Sequence, residues 1–268
     1  MWRASRCSPP GVMLMADTPL TVAGGLRADD IAAARDIQMS ILPPQMPQVA
    51  GYDFFGCLRP AAETGGDMFD LVELEQGVFV LLGDATGHGF GPALCATQMQ
   101  AMFRVAFRVG AELGEAYIHV NNQLDEDLPD DRFVTAFAGF LDPQRHQVDY
   151  FSAGQGPILH YRAATRDCEW FGPTTFPLGT MAVDRAAPIR SLALAPGDIL
   201  AVLSDGVYEC EGDAGLFGRE RVADMLREYC EATTAEMAAR LMQSLETFAG
   251  HREQQDDLTI VLVKRPAP

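Results

Sequence analysis

No stretch of this sequence approaches the roughly 18 to 20 uninterrupted apolar residues needed to cross a bilayer. The first segment, Met1 to Met15, carries Arg3 and Arg6 but lacks the apolar run of a secretory signal. The expectation is a soluble, cytoplasmic protein with no membrane partner. Cysteine is sparse and scattered: Cys7, Cys57, Cys95, Cys168, Cys210 and Cys230 form no Cys-x-x-Cys pair. Neither a disulfide framework nor a thiolate zinc site is indicated, and the thiols read as reduced packing residues. Basic residues are few as well, with 20 Lys and Arg against 37 Asp and Glu and a formal net charge of −17. Nucleic acid and anionic membrane would repel such a chain, so neither is an expected partner.

What is present is enough apolar material for a full core, since 48% of the 268 residues are hydrophobic. Residues 1–25 mix Pro, Ser, Gly and small residues without periodicity and read as a flexible leader. Residues 26–46 read as a regulatory or linker helix, because Ile31, Ala34, Ile37 and Ile41 recur at helical spacing before Pro43-Pro44. That apolar stripe is expected either to cover its own domain or to pair with the same helix of a second subunit.

The remaining chain, residues 47–266, reads as one domain. Short β-branched and aromatic runs are predicted as strands at Tyr52–Leu58, Val78–Gly83, Phe133–Leu141, Gln147–Ser152, Pro157–Tyr161, Ile189–Leu194, Ile199–Leu203 and Leu258–Val263. Helical patterns occur in two pairs, Gly91–Val109 with Gly114–Leu128 and Arg219–Cys230 with Thr234–Ala249. Consecutive strands interrupted by helix pairs do not fit a doubly wound parallel sheet. They predict an α+β fold, an antiparallel β-sandwich flanked by helix pairs in α-β-β-α layers.

Four acidic segments stand out because each sets Asp at a strand end or in a glycine turn: Thr64-Gly65-Gly66-Asp67-Met68-Phe69-Asp70, Gly83-Asp84-Ala85-Thr86-Gly87-His88-Gly89, Ser204-Asp205-Gly206 and Gln255-Asp256-Asp257-Leu258-Thr259. Strand ends bring residues distant in sequence to one rim. Carboxylates packed there repel one another and hold their protons unless cations join them, and hard divalent cations take such oxygen ligands. Taken singly, an Asp after a strand also serves as a turn former or a helix N-cap, and Thr86 could cap the helix after Gly89.

Together with Ile37-Gln38 before Leu42-Pro43-Pro44 and with Phe217-Gly218, these segments resemble the PPM superfamily of metal-dependent Ser/Thr phosphatases, in its SpoIIE/RsbU-like bacterial branch. The resemblance runs from about Ile31 to Val263. It implies two divalent cations, Mn²⁺ or Mg²⁺, with Asp84 bridging them. Asp67 and the Ala85 carbonyl would serve one ion, and Asp205 and Asp256 the other, with Asp257 and Asp70 as second choices. The implied reaction is hydrolysis of phosphoserine or phosphothreonine by a metal-bridged hydroxide.

The chain departs from the wider superfamily at two points. Thr86 stands where eukaryotic relatives place a His, leaving His88 as the nearest imidazole. The phosphate-gripping arginine of those relatives has no evident match, with Arg59 and Arg132 as substitutes. Gly87, Gly89 and Gly91 could cradle phosphate before a helix or could simply form a tight turn. The resemblance also implies a phosphorylated anti-anti-sigma-like protein as substrate, and an activating protein or homodimer through the Ile31–Leu42 helix. A phosphatase of a small phosphorylated molecule and a non-catalytic partner-binding module remain the alternatives.

Overall fold

Gly77–Ala85 is buried at every residue except Asp84, the pattern of a strand covered on both faces. In the computed structural model, which describes residues 28–87 and 89–267, it is β3 of a sheet whose two faces meet different partners. The expected leader lies outside the described residues. In chain order the elements are α1 (Ala28–Ser40), β1 (Asp53–Arg59), β2 (Asp67–Leu74), β3, α2 (Phe90–Arg108), α3 (Leu113–Asp127), β4 (Val134–Asp142), β5 (Gln147–Ala153), β6 (Ile158–Arg162) and β7 (Asp167–Phe171). After these come β8 (Arg190–Ala193), β9 (Ile199–Leu203), α4 (Asp205–Glu209), the short β10 (Glu211–Gly212) and β11 (Gly215–Leu216), α5 (Gly218–Glu228), α6 (Thr234–Ala249) and β12 (Leu258–Lys264).

Two antiparallel sheets result, ordered β1-β12-β9-β6-β7 and β2-β3-β4-β5-β8. Three apolar layers hold them. Phe79 and Leu81 of β3 pack with Met99 and Phe103 of α2, whereas Val80 and Leu82, on the opposite face of the same strand, meet Leu200, Val202 and Val261 between the sheets. On the far side Ile260 and Leu262 pack against Val222 of α5 and Leu241 of α6. The α-β-β-α sandwich is thus present as expected, and α6 opens with a capping box in which Thr233 accepts from the Glu236 N–H.

Apart from the two-residue β10 and β11, two strands were missing from the sequence reading. β2 was not among the expected strands, because Asp67, Asp70 and Glu73 interrupt its apolar pattern, yet Asp67 is 2% exposed and Asp70 fully buried. β7 lies at a sheet edge, where its alternation carries little apolar signal. The α1 stripe also differs by one position. Ile37 is 63% exposed, and Gln38 turns inward in its place at 3%.

Candidate functional site

The antiparallel register of β2 and β3 sets Asp67 directly opposite Asp84 at one end of the sandwich. Both side chains lie on the inter-sheet face, the face that carries Phe69 and Leu71 on β2 and Val80 and Leu82 on β3. The facing sheet contributes at the same end. β9 runs out into Ser204 and Asp205, the first residue of α4, and Asp256-Asp257 immediately precede β12. The close approach is enforced by glycine: a Cβ on Gly206 would lie 2.2 Å from the Asp257 carbonyl oxygen, and one on Gly65 would lie 2.2 Å from Asp257 Oδ2.

The electrostatics record this convergence. Burial and the field of Asp205, Asp256 and Asp257 push Asp84 up to about 7. Burial and the Asp84 carboxylate raise Asp67 well above the usual carboxylate range, opposed by the Thr259 hydroxyl, which donates to Asp67 Oδ2 at 2.5 Å. Asp205 is raised by burial and then by Glu209. Crowded carboxylates raised together in this way are suited to sharing a hard cation.

Among the described residues no three His, Cys, Asp or Glu side chains stand in position to coordinate one ion by themselves. A cation that keeps several waters does not require such a cage. The candidate donors are all oxygen, and the Ala85 carbonyl could join them: a Cβ on Gly66 would meet that oxygen at 2.6 Å, so only glycine leaves the space in front of it open. These residues fit Mg²⁺ or Mn²⁺ and do not resemble a thiolate site.

The second-choice residues have other partners. Asp257 accepts from the Ala61 N–H at 2.7 Å and the Asp67 N–H at 3.1 Å, so its carboxylate fixes the loop that carries Asp67. Asp70 lies three residues along β2 from Asp67 and therefore faces α2, where Arg104 donates to it at 2.5 Å and 2.9 Å and Gln100 at 2.9 Å. Arg59 pairs with Glu246 and donates to Gln254. Arg132 donates to the Thr86 carbonyl at 2.7 Å, beside the β3–α2 turn. Gly87 and Gly89 take positive φ in that turn, whereas Gly91 does not. His88 lies outside the described residues.

Sequence reasoning missed Gln38 as a site component. Its side chain donates to the Gly65 carbonyl at 2.8 Å and accepts from the Gly65 N–H at 3.2 Å, tying α1 to the segment that carries Asp67. The signal was there, a glutamine within an apolar helical stripe. It became readable only once the partner 27 residues away was in place.

Comparison with known proteins gives the same picture. RsbU of Bacillus subtilis (strain 168), a phosphoserine phosphatase, is 23% identical over 239 residues, covering 88% of this chain and 70% of RsbU. The SiaA-PP2C domain of Pseudomonas aeruginosa shares the fold with a TM-score of 0.77 at 23% identity, covering 88% of this chain and 96% of that domain. The catalytic domain of the serine/threonine phosphatase PstP, solved with 2 manganese ions, shares it with a TM-score of 0.58 at 14% identity, covering 80% of this chain and 98% of that one. The model of the stage II sporulation protein E family matches residues 75–266. The chain therefore belongs to the SpoIIE family, in the SpoIIE/RsbU-like branch of PPM-type Ser/Thr phosphatases.

Proposed function

We propose that this protein removes phosphate from phosphoserine or phosphothreonine on a bacterial regulatory protein of the anti-anti-sigma kind, with two divalent cations held at the sandwich rim. The observation that carries this reading is the pairing of Asp67 with Asp84 at the end of the sandwich where Asp205 and Asp256-Asp257 arrive from the facing sheet, a crowding that pushes Asp84 upward. Like charges gathered at that depth have a purpose when cations share them.

Asp67 and the Ala85 carbonyl would hold one ion, Asp205 and Asp256 the other, with Asp84 shared. The two manganese ions of PstP support the count. Bound there, the cations would supply Lewis-acid activation of water and neutralise phosphate charge, which an acidic protein otherwise repels. The remaining work falls to the chain itself. Thr259 orients Asp67 through its hydroxyl, Asp257 fixes the Asp67 backbone, and Arg132 stands at the adjoining turn as a cation available to phosphate. The phosphoserine phosphatase name of RsbU supports the substrate class. Regulation through α1, by a homodimer or by an activating protein, is supported by the exposed Ile37 on the helix that grips Gly65.

The test is hydrolysis of an aryl phosphate with Mn²⁺, with chelator, and after Asp84→Asn or Asp205→Asn. Activity that needs metal and is lost in both variants supports the reading; activity indifferent to chelator sinks it. Faster turnover of an intact phosphoprotein than of sugar or nucleotide phosphates separates a protein phosphatase from one acting on small molecules.

A further inference from the structure

At the end of β9 opposite to Asp205 lies a cavity of about 350 Å³ where His160, Asp198, Tyr150 and Arg190 meet the apolar Phe171 and Leu192. The strand pattern shows how it forms. Leu159 and Tyr161 of β6 point outward to α5, so His160 between them faces the opposite sheet. Tyr150 lies in the inter-sheet layer and pairs in register with Arg190 of the edge strand β8, which puts Arg190 on the same face.

His160 is 3% exposed. Its Nε2 lies 3.2 Å from Asp198 Oδ2, while the Asp198 carboxylate also accepts from the Ala163 N–H at 2.9 Å and the Ala195 N–H at 3.0 Å. A carboxylate loaded in this way is an acceptor, so Nε2 carries the ring proton and Nδ1 presents a lone pair. Burial, opposed by Asp198, holds the imidazole below its ordinary pKa and keeps it neutral at pH 7. That Nδ1 is buried and has no hydrogen-bond partner. A buried acceptor without a donor has a cost, and the cavity that His160 lines is where a donor could come from.

The charged groups around the cavity are unequal. Arg162 is paired with Glu169, and Asp198 is occupied by His160 and two backbone donors. Arg190 stands by the Tyr150 hydroxyl, whose pKa it lowers against the upward push of burial. The Arg190 guanidinium, hydrogen-bonded to the Tyr150 hydroxyl, and the unfilled neutral acceptor on His160 are a complementary pair for a particular kind of ligand.

We propose that this cavity binds a small oxyanion that carries its own hydroxyl, hydrogenphosphate being the simplest. The anionic oxygens meet Arg190 and the Tyr150 hydroxyl, and the P–OH donates to His160 Nδ1. Sulfate, which has the same shape but no proton at neutral pH, lacks that last bond. The site is independent of the carboxylate rim and of the hydrolase reading.

The test is titration of the metal-loaded full chain with inorganic phosphate, followed by the long-range ¹H–¹⁵N signals of the histidine rings, with His160 identified through His160→Phe. Saturable movement of the His160 signals by phosphate in the millimolar range is expected, with binding at least about tenfold weaker for sulfate. Arg190→Gln, at an exposed edge position, should weaken phosphate by about tenfold or more and leave the fold intact. The response should persist in Asp84→Asn, which shows that it is not relayed from the far rim. An unmoved His160 signal, an equal response to sulfate, or an unchanged response in Arg190→Gln would overturn the assignment.

Discussion

Gln38 holds Gly65 by both of its backbone groups, donating to the carbonyl at 2.8 Å and accepting from the N–H at 3.2 Å. Gly65 lies two residues before Asp67, so α1 is tied to the proposed metal-binding segment through one buried amide. Gln38→Leu fills similar space but leaves both Gly65 groups unpaired. Activity should then need about 10- to 100-fold more Mn²⁺ for half-saturation, the usual cost of losing support behind a ligand. A metal-titration curve that coincides with the parent protein's would show that the clamp does not position Asp67.

Thr259 supplies the hydroxyl on Asp67 from the facing sheet, 192 residues away in sequence. Thr259→Val conserves shape and removes the donor. Asp67 then retains its proton more firmly, since the hydrogen bond opposes burial and the Asp84 field. Metal binding should weaken and shift to higher pH, while thermal stability with bound Mn²⁺ changes by no more than about 1 kcal/mol. Calorimetric titration of Mn²⁺ across pH measures both, and a pH profile that does not move excludes this role for Thr259.

These two contacts also mark what could be read in the sequence. Asp84, Asp205 and Asp256 could be picked out as candidates because an apolar run ends at the first two and begins just after the third. β2 was not legible, since its buried Asp67 and Asp70 look like breaks in a strand until Thr259 and Arg104 are seen to satisfy them. Ile37 and Gln38 exchanged roles for the same reason: helical periodicity cannot register that a buried glutamine has a backbone partner waiting. The sandwich itself was legible because its central strands β3, β9 and β12 are covered on both faces and carry long apolar runs.

Asp70 and Arg104 form a buried pair outside the metal rim, with Asp70 fully buried and Arg104 also donating to the Ile41 carbonyl at 3.1 Å. Arg104→Met leaves the buried Asp70 carboxylate with only the Gln100 amide and the Leu71 N–H as donors and should destabilise the domain by about 3 kcal/mol. Adding Asp70→Asn should recover much of that loss. Chemical denaturation of the single and double variants checks both values. Full stability in Arg104→Met would mean that Asp70 is not an ion-pair residue, and would reopen it as a ligand.

The raised carboxylates make a definite prediction about pH and metal. Asp67, Asp84 and Asp205 all have folded pKa values above their unfolded ones, with Asp84 at about 7. The folded protein therefore binds more protons than the unfolded chain through this window. Asp84's contribution to stability is fully present below the unfolded value of 3.8 and is lost as pH rises through about 7, while those of Asp67 and Asp205 are lost as pH rises through their own raised values. The chelated protein should melt at progressively lower temperature over that range, and saturating Mg²⁺ or Mn²⁺ should remove most of the slope, because bound cations take over from protons. Asp84→Asn should flatten the metal-free slope and raise the melting temperature at pH 7 by about 2–4 °C for each kcal/mol of repulsion relieved. A chelated protein whose melting temperature does not fall toward neutral pH, or whose slope persists with saturating cation, would mean that the four aspartates do not share one field, and the rim would lose its standing as a metal centre.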